Sequence, residues 1–127
     1  MKDNLIHYNW HWFWHWGTGE ALNNGTHMLD LMRWGLGVEY PVRVGSSGGR
    51  FHFVDDWEPP DTQVITLDYA EKVSIAWEGR SCSGRTIDGS GAGAIFHGEN
   101  GSLLVDGNGY LVQDLDEKVV REVKSAT

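Results

Sequence analysis

The chain has 127 residues, enough for one domain with a real core. Its formal net charge of −8, with no basic run to offset it, argues against a nucleic-acid backbone as partner. No apolar run is long enough to cross a bilayer, and a single cysteine, Cys82, excludes an internal disulfide and a cysteine-based zinc site. One cysteine does not fix the compartment; the cytoplasm is the expectation, ahead of the periplasm.

The chain opens on an aromatic-rich stretch, residues 1–16, in which Trp10, Trp12, Trp14 and Trp16 alternate with His11, Phe13 and His15. A period of two predicts an extended segment with two faces. Read as a helix, the same residues would align His7, His11 and His15 at four-residue steps, a weaker zinc-site reading. Residues 17–37, GTGEALNNGTHMLDLMRWGLG, read as one helix entered and left through glycines, with Thr18 as its cap. Leu22, Gly25, Leu29, Met32 and Leu36 form the buried stripe. Asn23, His27, Asp30 and Trp34 share another face, which sets an amide, an imidazole and a carboxylate within reach of one another.

Beyond the helix, Val42 and Val44 start a strand that the glycines and serines of 46–49 break or bulge, and 50–54 continues it with Phe51 and Phe53 on one face. Residues 55–61 form an acidic, proline-marked loop. Residues 62–69 and 72–79 make a hairpin about Ala70 and Glu71. A polar, glycine-rich link over 81–93 leads to short strands at 94–97, 103–106, 110–114 and 118–123, joined by Asn-Gly and Gly107-Asn108-Gly109 turns. A helix followed by a meander of antiparallel strands is an α+β domain, read here as one domain over 1–127 with the main helix on one face of an open, mostly antiparallel sheet.

The pattern G-x-G-x-x-L-[DN]-x-G-x-H-x-x-D over residues 17–30, followed by RWGLG, resembles the C-terminal domain of the glucose–fructose oxidoreductase, inositol dehydrogenase and MocA family. The likeness runs from HYNWHWFWHWGTGE through DDWEPPDT and AWEGRSCSG to IFHGENGSLLVDG, nearly the whole chain. It implies a fold like the C-terminal domain of dihydrodipicolinate reductase. It also implies a substrate and oligomerisation domain whose NAD or NADP is bound mainly by a separate N-terminal Rossmann domain, outside this chain. That domain is then a partner, together with a sugar or polyol substrate and further copies of the chain, which associate through the sheet face.

The resemblance makes His27 the proton acceptor or donor at a substrate hydroxyl while hydride leaves the same carbon; a neutral-range imidazole suits that work. The family residue four positions earlier is usually Asp, and here it is Asn23, which can orient an imidazole but brings no charge. Asp30 is read either as the source of that charge and a substrate contact, or as a surface acid paired with Arg33. The tryptophans are read as core, dimer contact or sugar-stacking wall, with Trp14 and Trp16 as candidates for a pocket rim. Arg80 is a candidate for a hydroxylated or acidic substrate, against the ordinary reading of a surface ion pair. Gly89, Gly91 and Ala94 formally match a dinucleotide fingerprint, but the match lacks a preceding strand and a following helix and is read as a loop. No nucleotide site and no metal site is therefore expected in this chain alone. The alternative function is a non-enzymatic carbohydrate-binding module that uses the tryptophans as platforms.

Overall fold

The computed structural model describes residues 7–107 and 109–125. The first part of the aromatic stretch, 1–6, and Asn108 of the predicted Gly107-Asn108-Gly109 turn lie outside them. The class is α+β as expected, and the chain divides into two compact units, Met1–Ser83 and Gly84–Thr127. The first holds a 3-10 helix His7–Trp12, helices α1 Glu20–Asn23 and α2 Gly25–Leu36, and strands β1 Arg43–Gly49, β2 Thr62–Asp68 and β3 Ser74–Arg80. The second holds β4 Gly93–Gly98, β5 Gly101–Asp106, β6 Gly109–Gln113 and β7 Val119–Lys124. The strands form two antiparallel sheets, ordered β1-β2-β3 and β4-β5-β6-β7.

The predicted helix is two helices with a step at Asn24. The Thr26 hydroxyl donates to the Leu22 carbonyl at 2.7 Å, a back-bond that bends helices, and the His27 N–H reaches the Asn24 carbonyl three residues back at 3.2 Å. Thr18 is not the cap: Gly19 stands there with φ 70° and no side-chain cap bond. A Cβ on Gly19 would lie 2.6 Å from that of Pro59, so this residue is glycine for contact as well as conformation. The C-terminal expectation is met at Gly37, which takes a left-handed turn while its N–H and that of Val38 return to the carbonyls of Trp34 and Arg33. The stripe begins one step later than predicted. Leu22, on the short α1, is exposed, whereas Gly25 and Met32 are buried.

What α2 packs against is β3. Ile75, Trp77 and Gly79 point to the buried side of that strand, and Ser74, Ala76 and Glu78 to the other. Trp77 lies between two glycines: a Cβ on Gly25 would come within 3.1 Å of its ring and one on Gly79 within 2.2 Å. The missing side chains make room for the indole between helix and sheet. The opposite face of the sheet carries Gly45, Ser47, Val64, Thr66 and Ala76 together with the ion pairs Arg43–Asp68 and Arg80–Glu78, so it is mixed and charged rather than apolar throughout.

The aromatic stretch is not extended. It forms the 3-10 helix and a following turn in which the N–H groups of Trp16 and Gly17 both reach the Phe13 carbonyl. Trp12 and Phe13, neighbours in sequence, are both buried, which a two-faced strand does not allow. Local i→i+3 bonds satisfy the backbone without a neighbouring strand. The segment seats on the 50–61 loop: Trp12 stacks on Trp57 at 5.3 Å, its carbonyl accepts from the Glu58 N–H at 2.9 Å, and the Trp14 N–H donates to the Glu58 carboxylate at 2.7 Å.

Two further expectations give way around β1. Residues 46–49 do not break the strand; Gly48 lets the backbones close up, since a Cβ there would meet the Thr62 carbonyl at 2.3 Å. Residues 50–54 are not strand, because their N–H groups turn onto one carboxylate. Asp61, 2% exposed, accepts from the backbone of Phe51, His52 and Phe53 at 3.2, 3.1 and 3.0 Å and from the Thr62 hydroxyl at 2.9 Å. Three successive N–H groups aimed at one acceptor cannot serve a ladder, in which they alternate in direction.

Burial works against ionisation of Asp61, but the Phe53, His52 and Phe51 N–H groups and the Thr62 hydroxyl outweigh it and hold the carboxyl well below the usual carboxylate range. The folded state therefore binds the proton less tightly than the unfolded chain. This stabilisation is complete above the ordinary aspartate range, about pH 4, and fades as pH falls below it. Denaturant midpoints should drop between neutral pH and about pH 3, and Asp61→Asn should lower the neutral midpoint while flattening that dependence. An unchanged acid slope in Asp61→Asn would show that other carboxylates carry it.

In the second unit, Gly101 and Gly109 allow close strand approach; a Cβ on Gly101 would sit 2.0 Å from the Gln113 carbonyl. The loop before β7 is closed by Asp114, whose side chain accepts from the N–H groups of Asp116 and Lys118, both at 2.9 Å.

Candidate functional site

The polar face of the helices meets the aromatic stretch at Asn23. Its amide Nδ2 donates to the Tyr8 hydroxyl at 2.6 Å. Tyr8 is held in turn by His11, whose ring lies 4.3 Å from the phenol and whose Nδ1 donates to the Tyr8 carbonyl at 2.7 Å. The other neighbour of His11 is Trp10, stacked at 3.6 Å. A short 3-10 helix suits this arrangement, because it brings residues three apart onto one edge.

His27 is exposed on α2, one turn beyond Asn23. Asn24 between them keeps right-handed helical angles, φ −87° and ψ −30°, while the step there separates Asn23, the last residue of α1, from His27 in the first turn of α2. An accessible imidazole there can exchange a proton with a bound hydroxyl, and the bonded pair of Asn23 amide and Tyr8 phenol can offer directional hydrogen bonds. Trp14 and Trp16 are both more than half exposed, and Trp16 sits edge-on to His15 at 4.6 Å. Their open faces can stack on the C–H side of a sugar ring.

Two other candidates sit in ordinary surroundings. Asp30 lies on the helix surface 3.7 Å from Arg33, the surface pairing weighed for it from the sequence. Arg80 pairs with Glu78 at 2.9 Å, on the side of β3 away from Trp77. The structure does not bring Arg80 together with Asn23 and His27. Among the described residues no group of three histidines, cysteines or acids is placed to hold a metal ion, so the zinc reading of His7, His11 and His15 has no geometry behind it. Gly89 and Ser90 belong to a small turn closed by the Ile87–Ser90 bridge, and strand β4 follows from Gly93. With no helix N-terminus there, these residues do not fit a pyrophosphate.

Sequence reasoning missed Tyr8 and Asp61. Tyr8 lies 15 residues from Asn23 in a stretch read as strand, and no periodicity connects the two. Asp61 carried a weak signal, as an acid directly after two prolines and before a strand-forming run.

The first unit thus sets α2, with its exposed polar residues, on one face of a three-stranded antiparallel sheet. A family model described as "Oxidoreductase family, C-terminal alpha/beta domain" matches residues 2–124, and the chain belongs to this glucose–fructose oxidoreductase, inositol dehydrogenase and MocA family. No curated protein matches the chain as a relative.

Proposed function

We propose that this chain is the substrate-side domain of an NAD- or NADP-dependent oxidoreductase acting on a sugar, polyol or related hydroxylated compound. His27 carries the proton at the reacting hydroxyl and Asn23 orients the site. The observation that supports this most is the exposed His27 one turn from Asn23, on the helix bearing the family pattern, in a chain matched by the family over 2–124. Trp14 and Trp16 serve as the rim against which the substrate ring lies.

The nucleotide belongs to an N-terminal Rossmann domain of the full-length polypeptide, since the glycine-rich turn at Gly89 does not fit it. The 127-residue chain alone should give no heat when titrated with NADH, and the full-length polypeptide should bind it. Micromolar NADH binding to the chain alone would count against this division of labour. Self-association through the face of the β1–β3 sheet away from α2 is part of the same proposal: Gly45, Thr66 and Ala76 allow close sheet approach, and the Arg43–Asp68 and Arg80–Glu78 pairs offer charges of both signs to a second copy. Light scattering of the full-length polypeptide should give a dimer or larger; a monomer at high concentration would refute it. A second reading has one observation in its favour: Trp10, Trp14 and Trp16 are 44%, 57% and 59% exposed, as a non-enzymatic carbohydrate-binding platform would need.

A further inference from the structure

We propose that Tyr8 is a substrate-contact residue: held by Asn23, its phenolic O–H donates to an oxygen of the hydroxylated substrate beside His27. This rests on the oxidoreductase reading above and adds a residue to it. A phenol has one proton to give and lone pairs to receive with. In the Asn23–Tyr8 bond the amide donates and the phenol oxygen accepts, at 2.6 Å, so the bond fixes the oxygen and leaves its proton unused. Among the described residues nothing accepts that proton. Tyr8 is 52% exposed, so a ligand can reach its side chain. The ring does not swing freely, because His11 packs against it at 4.3 Å and bonds its carbonyl at 2.7 Å. A donor fixed at both oxygen and ring loses little freedom on binding.

The identity of residue 23 then matters through hydrogen-bond polarity. An amide gives a proton to the phenol; a carboxylate can only take one. Asn23→Asp would draw the Tyr8 proton onto itself and remove the donor from the substrate side. Tyr8→Phe and Asn23→Asp should therefore disable the same hydrogen bond by different means.

The test uses the full-length polypeptide with a sugar or polyol that it oxidises and measures kcat and KM for Tyr8→Phe, Asn23→Asp, the double variant and His27→Ala. Tyr8→Phe should raise KM about tenfold with kcat changed little, the effect of losing one directed hydrogen bond made in the ground state. Asn23→Asp should raise KM similarly, and adding Tyr8→Phe to it should change KM by no more than about twofold. A KM for Tyr8→Phe within twofold of wild type, or full additivity of the two changes, overturns the proposal. If His27→Ala collapses kcat while Tyr8→Phe leaves KM alone, only the role of Tyr8 fails. If His27→Ala leaves kcat intact, the site reading fails and the proposal falls with it.

Discussion

Replacing His27 by alanine in the full-length polypeptide is expected to lower turnover by about a hundred- to ten-thousandfold, the worth of a positioned general acid or base. The loss should appear mainly in kcat, because proton transfer to or from the reacting oxygen belongs to the transition state and contributes little to ground-state binding. The fold should survive. His27 is exposed, its backbone N–H bond to Asn24 is retained, and the packed positions of α2 are Gly25 and Met32 on another face. Circular dichroism and the denaturant midpoint should match wild type. Turnover within a few-fold of wild type would make His27 an ordinary polar-face residue and return the candidate site to the surface of an amphipathic helix.

Trp77→Ala is expected to produce the largest loss of stability, about 3–5 kcal/mol, the range for truncating a buried tryptophan. Trp77 is 6% exposed and is the side chain against which both Gly25 and Gly79 are cut back. Removing it opens a cavity that neither glycine can fill, since neither has a side chain to move into the gap. Helix α2 would lose its seat on β3, so activity should also fall without any change at His27. Urea unfolding should show a much lower midpoint, with the slope retained if unfolding stays two-state. A loss under about 1 kcal/mol would mean that the helix is held elsewhere.

Local patterns were legible in the sequence. The hairpin of β2 and β3 and the meander from β4 to β7 follow from alternation and turn residues, and Gly37 marked the helix end. Positions fixed by a distant partner were not. Alternating tryptophans suggest a strand, but Trp12 finds its place by stacking on Trp57, 45 residues away, and no strand lies beside it. Residues 50–54 carry strand-like aromatics, yet their N–H groups go to Asp61. The step at Asn24 turns on the Thr26 hydroxyl, which a hydrophobic pattern does not register. In the candidate site, His27, Asn23 and Asp30 were placed on one face by helical spacing alone. The Tyr8 contact depends on where the aromatic stretch folds back, and Arg80 came from its place after a strand, which says nothing about which side of the sheet it takes.

Whether this domain serves an oxidoreductase is measured most directly by the reduced nicotinamide that the full-length polypeptide forms from NAD or NADP across a panel of sugars and polyols. Turnover with at least one member of the panel is expected, and it should be lost in His27→Ala. A polypeptide that binds sugars through its tryptophans yet forms no reduced nicotinamide with either nucleotide would contradict the oxidoreductase reading and favour the carbohydrate-binding one.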